Sequence, residues 1–138
     1  MSRVLVIDDE PGFRISLSEV LRLEGYTAVG ASTCQEALVQ LARDSVDLLF
    51  VDVNLPDGSG LDLLPRADPP VVVVTGEPSL SLADEALSLG ARDCLAKPTD
   101  RLRLRMTLAS LAREQRLRAE IARLQAEVAA LRTGGPRR

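Results

Sequence analysis

The sequence predicts an α/β protein: a five-stranded parallel sheet, doubly wound into a three-layer sandwich, followed by an extended C-terminal helix. Three observations lead there. Short β-branched runs alternate five times with stretches of helical periodicity. The connections are short, which suits right-handed crossovers between parallel strands. From Asp100 to Arg132 there is no glycine or proline at all.

The first run, RVLVID at 3–8, is β-branched and ends in acid. Pro11 and Gly12 open a helix in which Phe13, Leu17, Val20, Leu21 and Leu23 share much of one face, and Gly25 stops it. A second, weaker strand covers 26–31, and Ser32 or Thr33 caps a helix through Arg43 with Ala37, Leu38 and Leu41 inward. Residues 46–51 (VDLLFV) are apolar enough for a strand buried on both faces. The turn-rich NLPDGSG follows, then a short helix in GLDLLPRA that Pro65 limits. PVVVV at 70–74 is the plainest strand of all; a helix at 79–89 ends at Gly90, and RDCLA at 92–96 is the last strand before Lys97-Pro98.

Composition narrows the chemistry. A chain of 138 residues supports one core with some residues left over. Having no histidine, it excludes a Ser-His-Asp triad, a histidine-ligated metal and a phosphohistidine carrier. Cys34 and Cys94 are too far apart for a zinc pattern and too few for a disulfide framework, which points to a reducing cytosol. MSRVLVIDDE carries no signal-peptide pattern, and no apolar run approaches the roughly 20 residues that span a bilayer, so a cytoplasmic location without membrane contact is expected. The net charge of −3 divides unevenly: residues 1–100 hold 7 basic and 17 acidic side chains, residues 101–138 hold 10 arginines and 3 glutamates. That break predicts two physical units.

Ligands of open parallel sheets bind outside the carboxyl ends of the strands. Strand one ends in Asp8, Asp9 and Glu10, strand three in Asp52, strand four in Thr75 and strand five in Lys97. The topology therefore gathers Asp8, Asp9, Asp52, Thr75 and Lys97 on one rim. Carboxylates packed this closely need a counter-charge. Hard oxygen donors without histidine or cysteine favour Mg²⁺, whose shell a phosphate commonly completes. A lysine and a hydroxyl opposite the acids suit that phosphate, and a carboxylate can act as nucleophile to give an acyl phosphate. Each element alone has a bland explanation: a solvated turn, a Lys-Pro turn, a strand end. Their conjunction at four strand termini does not.

These residues resemble the receiver domain of two-component response regulators, the CheY-like (flavodoxin-like) fold. VLVIDDE, VDVNLPDGSGLDLL, VVVVTG and GARDCLAKP carry the likeness over about residues 3–113. The resemblance implies a strand order of 2-1-3-4-5 and a phosphoryl group received on Asp52 from a histidine of a separate sensor kinase. It implies Asp9 as a direct Mg²⁺ ligand, Asp8 as its neighbour acting through water, and the Asn54 backbone carbonyl as a further ligand. Thr75 matches the switch hydroxyl, and Lys97 the lysine that pairs with the phosphoryl group, before a proline whose peptide is commonly cis. No turnover of an external substrate is implied, only self-phosphorylation and autodephosphorylation at Asp52. Two departures stand out. Cys94 occupies the position usually held by Tyr or Phe, where a ring reports phosphorylation, and the stretch from Gly60 to Pro70 is short for the family. A receiver followed by RLRAEIARLQAEV also resembles the start of NtrC-type sigma-54-dependent regulators, although no GxxxxGKS/T motif is present.

The tail itself is rich in strong helix formers. Leu104, Leu108 and Leu111 suit the receiver's last helix, whereas Leu117, Ile121, Leu124, Val128 and Leu131 are spaced 4, 3, 4, 3 as a heptad seam. The organisation expected is a receiver at 1–113, a coiled-coil-like extension at 114–132 that pairs two copies, and a flexible tail or linker at 133–138. The arginines lie all round the helix without aromatics or a helix-turn-helix, so direct nucleic-acid binding is not expected. Two other readings compete. One is a pseudo-receiver, a phosphorylation-insensitive interaction and dimerisation module, motivated by Cys94 and the short third helix. The other is an aspartyl-phosphate phosphatase, but Asn54 stands where such enzymes place their general acid.

Overall fold

In a computed structural model, residues 3–134 are described, and they divide between Thr99 and Asp100 into two units. The predicted tail at 133–138 lies outside the described residues beyond Gly134.

The first unit runs β1 (Arg3–Ile7), α1 (Pro11–Leu23), β2 (Thr27–Ala31), α2 (Cys34–Arg43), β3 (Leu48–Asp52), β4 (Asn54–Leu55), β5 (Gly58–Ser59), a 3-10 helix (Gly60–Arg66), β6 (Val71–Thr75), α3 (Leu80–Ser88) and β7 (Asp93–Ala96). The main sheet is parallel throughout, in the order β2-β1-β3-β6-β7. This is the five-stranded order that the resemblance implies. All five residues of β3 and of β6 are buried, as their unbroken apolar composition requires when helices cover both faces. Val4, Leu5, Val6 and Ile7 of β1 complete the centre of the core. Register brings the strand ends level: Ile7 is paired with Val51, Asp52 with Val74, and Thr75 with Ala96.

Helix ends follow from local chemistry. Pro11 starts α1, where its missing N–H costs nothing. Thr33 is the N-cap of α2 and accepts from the Glu36 N–H at 3.0 Å. Two features differ from the sequence expectation. NLPDGSG is not only a loop, since Asn54–Leu55 and Gly58–Ser59 pair as a small antiparallel hairpin. The short third helix is 3-10 rather than α, with Pro65 inside it; a proline cannot donate into a helical ladder. Cys94, in β7, is half-buried and packs against the core, a small side chain where the family carries a ring.

The second unit contains one helix, α4 (Arg101–Arg132). The Asp100 carboxylate accepts from the Leu102 N–H at 3.3 Å and caps it. Its buried residues are Leu104, Thr107, Leu108 and Leu111. Beyond them Leu117, Ile121, Leu124, Val128 and Leu131 are 46–76% exposed. These five side chains form an apolar stripe exposed along the helix.

Candidate functional site

The rim at the carboxyl ends of β1, β3, β6 and β7 is built by the chain turning sharply as each strand ends. At the end of β1 the Glu10 N–H donates to Asp8 Oδ1 at 2.9 Å, folding the acidic run back on itself. At the end of β3 the Asn54 N–H donates to Asp52 Oδ1 at 3.3 Å. At the end of β6 the Glu77 N–H donates to Thr75 Oγ1 at 3.0 Å, leaving the hydroxyl proton available to a further acceptor. Lys97 follows β7; its N–H donates to the Thr75 carbonyl at 2.8 Å, and the Lys97–Pro98 peptide is cis.

Asp8, Asp52 and Thr75 are buried, while Asp9 and Asn54 are exposed. The Lys97 ammonium lies 2.7 Å from Asp8 Oδ2, 3.2 Å from Asp52 Oδ2 and 3.0 Å from Glu10 Oε1. It also sits 4.5 Å from the centre of the Phe13 ring, whose face favours a cation. One oxygen from each of Asp8, Asp9 and Asp52 falls within a common 4.8 Å. The structure thus joins Asp8, Asp9, Asp52 and Lys97 directly. It ties Asn54 to Asp52 through a backbone N–H, and Thr75 to Lys97 through the main chain.

Electrostatics follow the crowding. Burial pushes the Asp52 carboxyl above its ordinary range, Asp8 pushes it further, and Lys97 and the Asn54 N–H only partly oppose them. Burial would pull the Lys97 ammonium down, but the hydrogen bonds and charges of Asp8, Glu10 and Asp52 outweigh it and leave it above its ordinary value. One buried atom stands out. Asp8 Oδ2 is buried, and the Lys97 ammonium faces it at 2.7 Å. A small dication held by oxygens of Asp8, Asp9 and Asp52 fits that position, and the donor set is the hard one that Mg²⁺ takes.

Several neighbours carry no signal in the sequence. Glu10 reads as part of an acidic turn, yet it holds Lys97. Phe13 reads as core-facing, yet its ring lies under the ammonium. Gly60 reads as a helix start. A Cβ there would collide with the Asp52 carbonyl oxygen and lie 2.8 Å from Val51 Cγ2, so only glycine lets the chain pass so close behind Asp52. Its place after the acidic turn of a strand-end loop is the one clue available.

Comparison with known proteins identifies the family and the fold. The profile described as response regulator receiver domain matches residues 4–109. The response regulator protein PilR of Pseudomonas aeruginosa is 39% identical over 123 residues, 86% of this chain and 28% of that protein. Sporulation initiation phosphotransferase F of Bacillus subtilis is 32% identical over 103 residues, 71% of this chain and 83% of that protein. Among solved structures, the beryllofluoride-activated NtrC4 receiver domain dimer matches with a TM-score of 0.77 at 34% identity, over 83% of this chain and 98% of that one. The chain spans under a third of the length of the first curated relatives it matches, 28% of PilR and 29% of the alginate regulator AlgB of Pseudomonas putida.

Proposed function

This chain belongs to the response regulator receiver family of two-component signalling, and from that premise we propose that Asp52 is its phosphoacceptor, served by Lys97, Thr75 and a Mg²⁺ ion. The observation that carries the reading is the Lys97 ammonium in contact with carboxylates at the ends of β1 and β3 at once, 2.7 Å from Asp8 and 3.2 Å from Asp52. Asp8, Asp9, Asp52 and the Asn54 carbonyl are the groups that would hold the ion. It supplies charge neutralisation for the incoming phosphoryl oxygens when bound.

The chain's own residues do the rest. An Asp52 carboxylate oxygen attacks phosphorus, the bond from phosphorus to the donor's histidine nitrogen or leaving oxygen breaks, and an acyl phosphate forms on Asp52. Lys97 moves its charge from the Asp52 carboxylate to a phosphoryl oxygen, and the Thr75 hydroxyl donates to another. The proposed donor is a sensor histidine kinase; the 138 residues themselves hold no histidine. No helix of the described residues is long and apolar enough to cross a membrane. Incubation with Mg²⁺ and a small acyl-phosphate donor is expected to label the parent and not Asp52→Asn; equal labelling of the two overturns the assignment.

The functional unit is residues 1–113, and 114–132 join two copies. The seam supports this in detail. Its spacing places Ile121 and Val128 at a positions and Leu117, Leu124 and Leu131 at d, the β-branched and leucine arrangement that favours two parallel strands. The flanking g positions are Glu120 and Glu127, and the e positions Arg118, Gln125 and Arg132. Parallel pairing sets Glu127 of one copy near Arg132 of the other, whereas antiparallel pairing sets glutamate against glutamate and arginine against arginine. Within one helix Arg123 already pairs with both Glu120 and Glu127, so the g carboxylates are shared rather than free.

A further inference from the structure

We propose that Arg14 is a positioning residue for the acidic cluster: it fixes the backbone of Asp8 so that its carboxylate is presented to a cation, and Gly30 is the clearance through which it reaches. This rests on the reading of the cluster as a Mg²⁺ site.

Arg14 Nη1 donates to the Asp8 carbonyl oxygen at 2.7 Å, a short bond because the donor is charged. The Asp8 N–H donates to the Ala31 carbonyl at 3.0 Å, and Asp8 Oδ1 accepts from the Glu10 N–H at 2.9 Å. Asp8 is therefore held at its N–H, its C=O and one carboxylate oxygen. Its other oxygen, Oδ2, is buried and faces the Lys97 ammonium at 2.7 Å. A carboxylate whose main chain and one oxygen are fixed in this way is arranged in advance as a ligand, and its outer supports govern affinity.

Reaching Asp8 from the first turns of α1 takes the Arg14 side chain across β2 at Gly30. A Cβ on Gly30 would lie 3.0 Å from Arg14 Cδ, 3.3 Å from Nε and 3.4 Å from Cγ. Any larger residue displaces the stem whose tip holds Asp8. Gly30 substitution thus disturbs the same contact while keeping the guanidinium.

Electrostatics and positioning predict opposite signs. Removing a positive charge near a dication site tightens binding by Coulomb's law. Losing the support of a ligand weakens it, by about tenfold or more for an outer partner of a metal ligand. The test is calorimetric titration of Mg²⁺ into the full chain, with thermal unfolding in chelator measured beside it, for the parent, Arg14→Met, Arg14→Lys and Gly30→Val. About a tenfold rise in Kd is expected for Arg14→Met, a rise in the same direction for Gly30→Val, and an intermediate value for Arg14→Lys. An Arg14→Met variant that binds Mg²⁺ as tightly as the parent or tighter, whatever its melting temperature, overturns the proposal. Should Arg14→Met not fold, Arg14→Lys and Gly30→Val decide by the same criterion. A parent that binds no Mg²⁺ sinks the underlying site reading as well, so the two failures are distinguishable.

Discussion

Ionised Asp52 is a cost to the fold that carries it. Its carboxyl is raised because burial and the Asp8 charge disfavour ionisation more than Lys97 and the Asn54 N–H favour it. For a carboxyl raised on folding, the stabilising contribution is complete below the unfolded pKa and is lost as pH rises through the folded one. Asp52→Asn removes that dependence. In chelator, the variant is expected to melt at a higher temperature than the parent at neutral pH, the gain shrinking to nothing as pH falls below the ordinary carboxylate range. Saturating Mg²⁺ reverses the order, since the ion stabilises only the chain that binds it well. Thermal unfolding against pH, with and without Mg²⁺, checks both statements. Asp8, Asp52 and Lys97 were legible in the sequence because each ends a strand, and topology places strand ends. Glu10, Phe13 and Arg14 were not. Their roles depend on where side-chain tips arrive, which periodicity does not encode.

Helix α2 is tied to the loop that follows Asp52. Asp57, on the turn between β4 and β5, accepts from the Cys34 N–H at 2.9 Å and the Gln35 N–H at 3.0 Å, closing two open donors of the first turn of α2. Those two N–H groups hold its carboxyl below the ordinary range. A carboxyl lowered on folding stabilises above its unfolded pKa and loses that contribution as pH falls through the folded one. Asp57→Ala is expected to lower the melting temperature at neutral pH, and the difference from the parent should close as acid protonates Asp57. A constant offset at every pH would assign the loss to the turn rather than to the charge. The five main strands could be read from the alternation of apolar runs, whereas their order came from the family resemblance. The hairpin of β4 and β5 could not, because two-residue strands have no period to detect, and the 3-10 geometry of the third helix follows from a proline whose effect on helix type sequence alone leaves open.

At the scale of the whole molecule, the charge break between residues 100 and 101 coincides with the division into two units at Thr99 and Asp100. Each does a separate job in the proposed reading: an acidic domain that takes a phosphoryl group, and an arginine-rich helix that pairs copies. The two should therefore be separable by mutation. Leu124→Asp buries a charge in the middle of the seam of each copy, which costs several kcal/mol when unpaired. Sedimentation is expected to show a dimer for the parent and a monomer for the variant at the same concentration, with labelling of Asp52 unchanged. A variant that stays dimeric places the contact elsewhere. The heptad itself was visible in the sequence as a 4-3 repeat; what the structure adds is that those five side chains stand in water on one chain.

Because α4 is one unbroken helix from Arg101 to Arg132, its two apolar stripes are locked in angular phase. At about 100° per residue, the stripe of Leu117 to Leu131 lies roughly 150° around the cylinder from that of Leu104 to Leu111. Such a helix transmits torsion. One residue inserted among 112–116 swings the second stripe by about 100° against the first, and seven nearly restore it. Length in this stretch is thus a dial of orientation rather than of reach, and changes in it are tolerated only in near-whole turns.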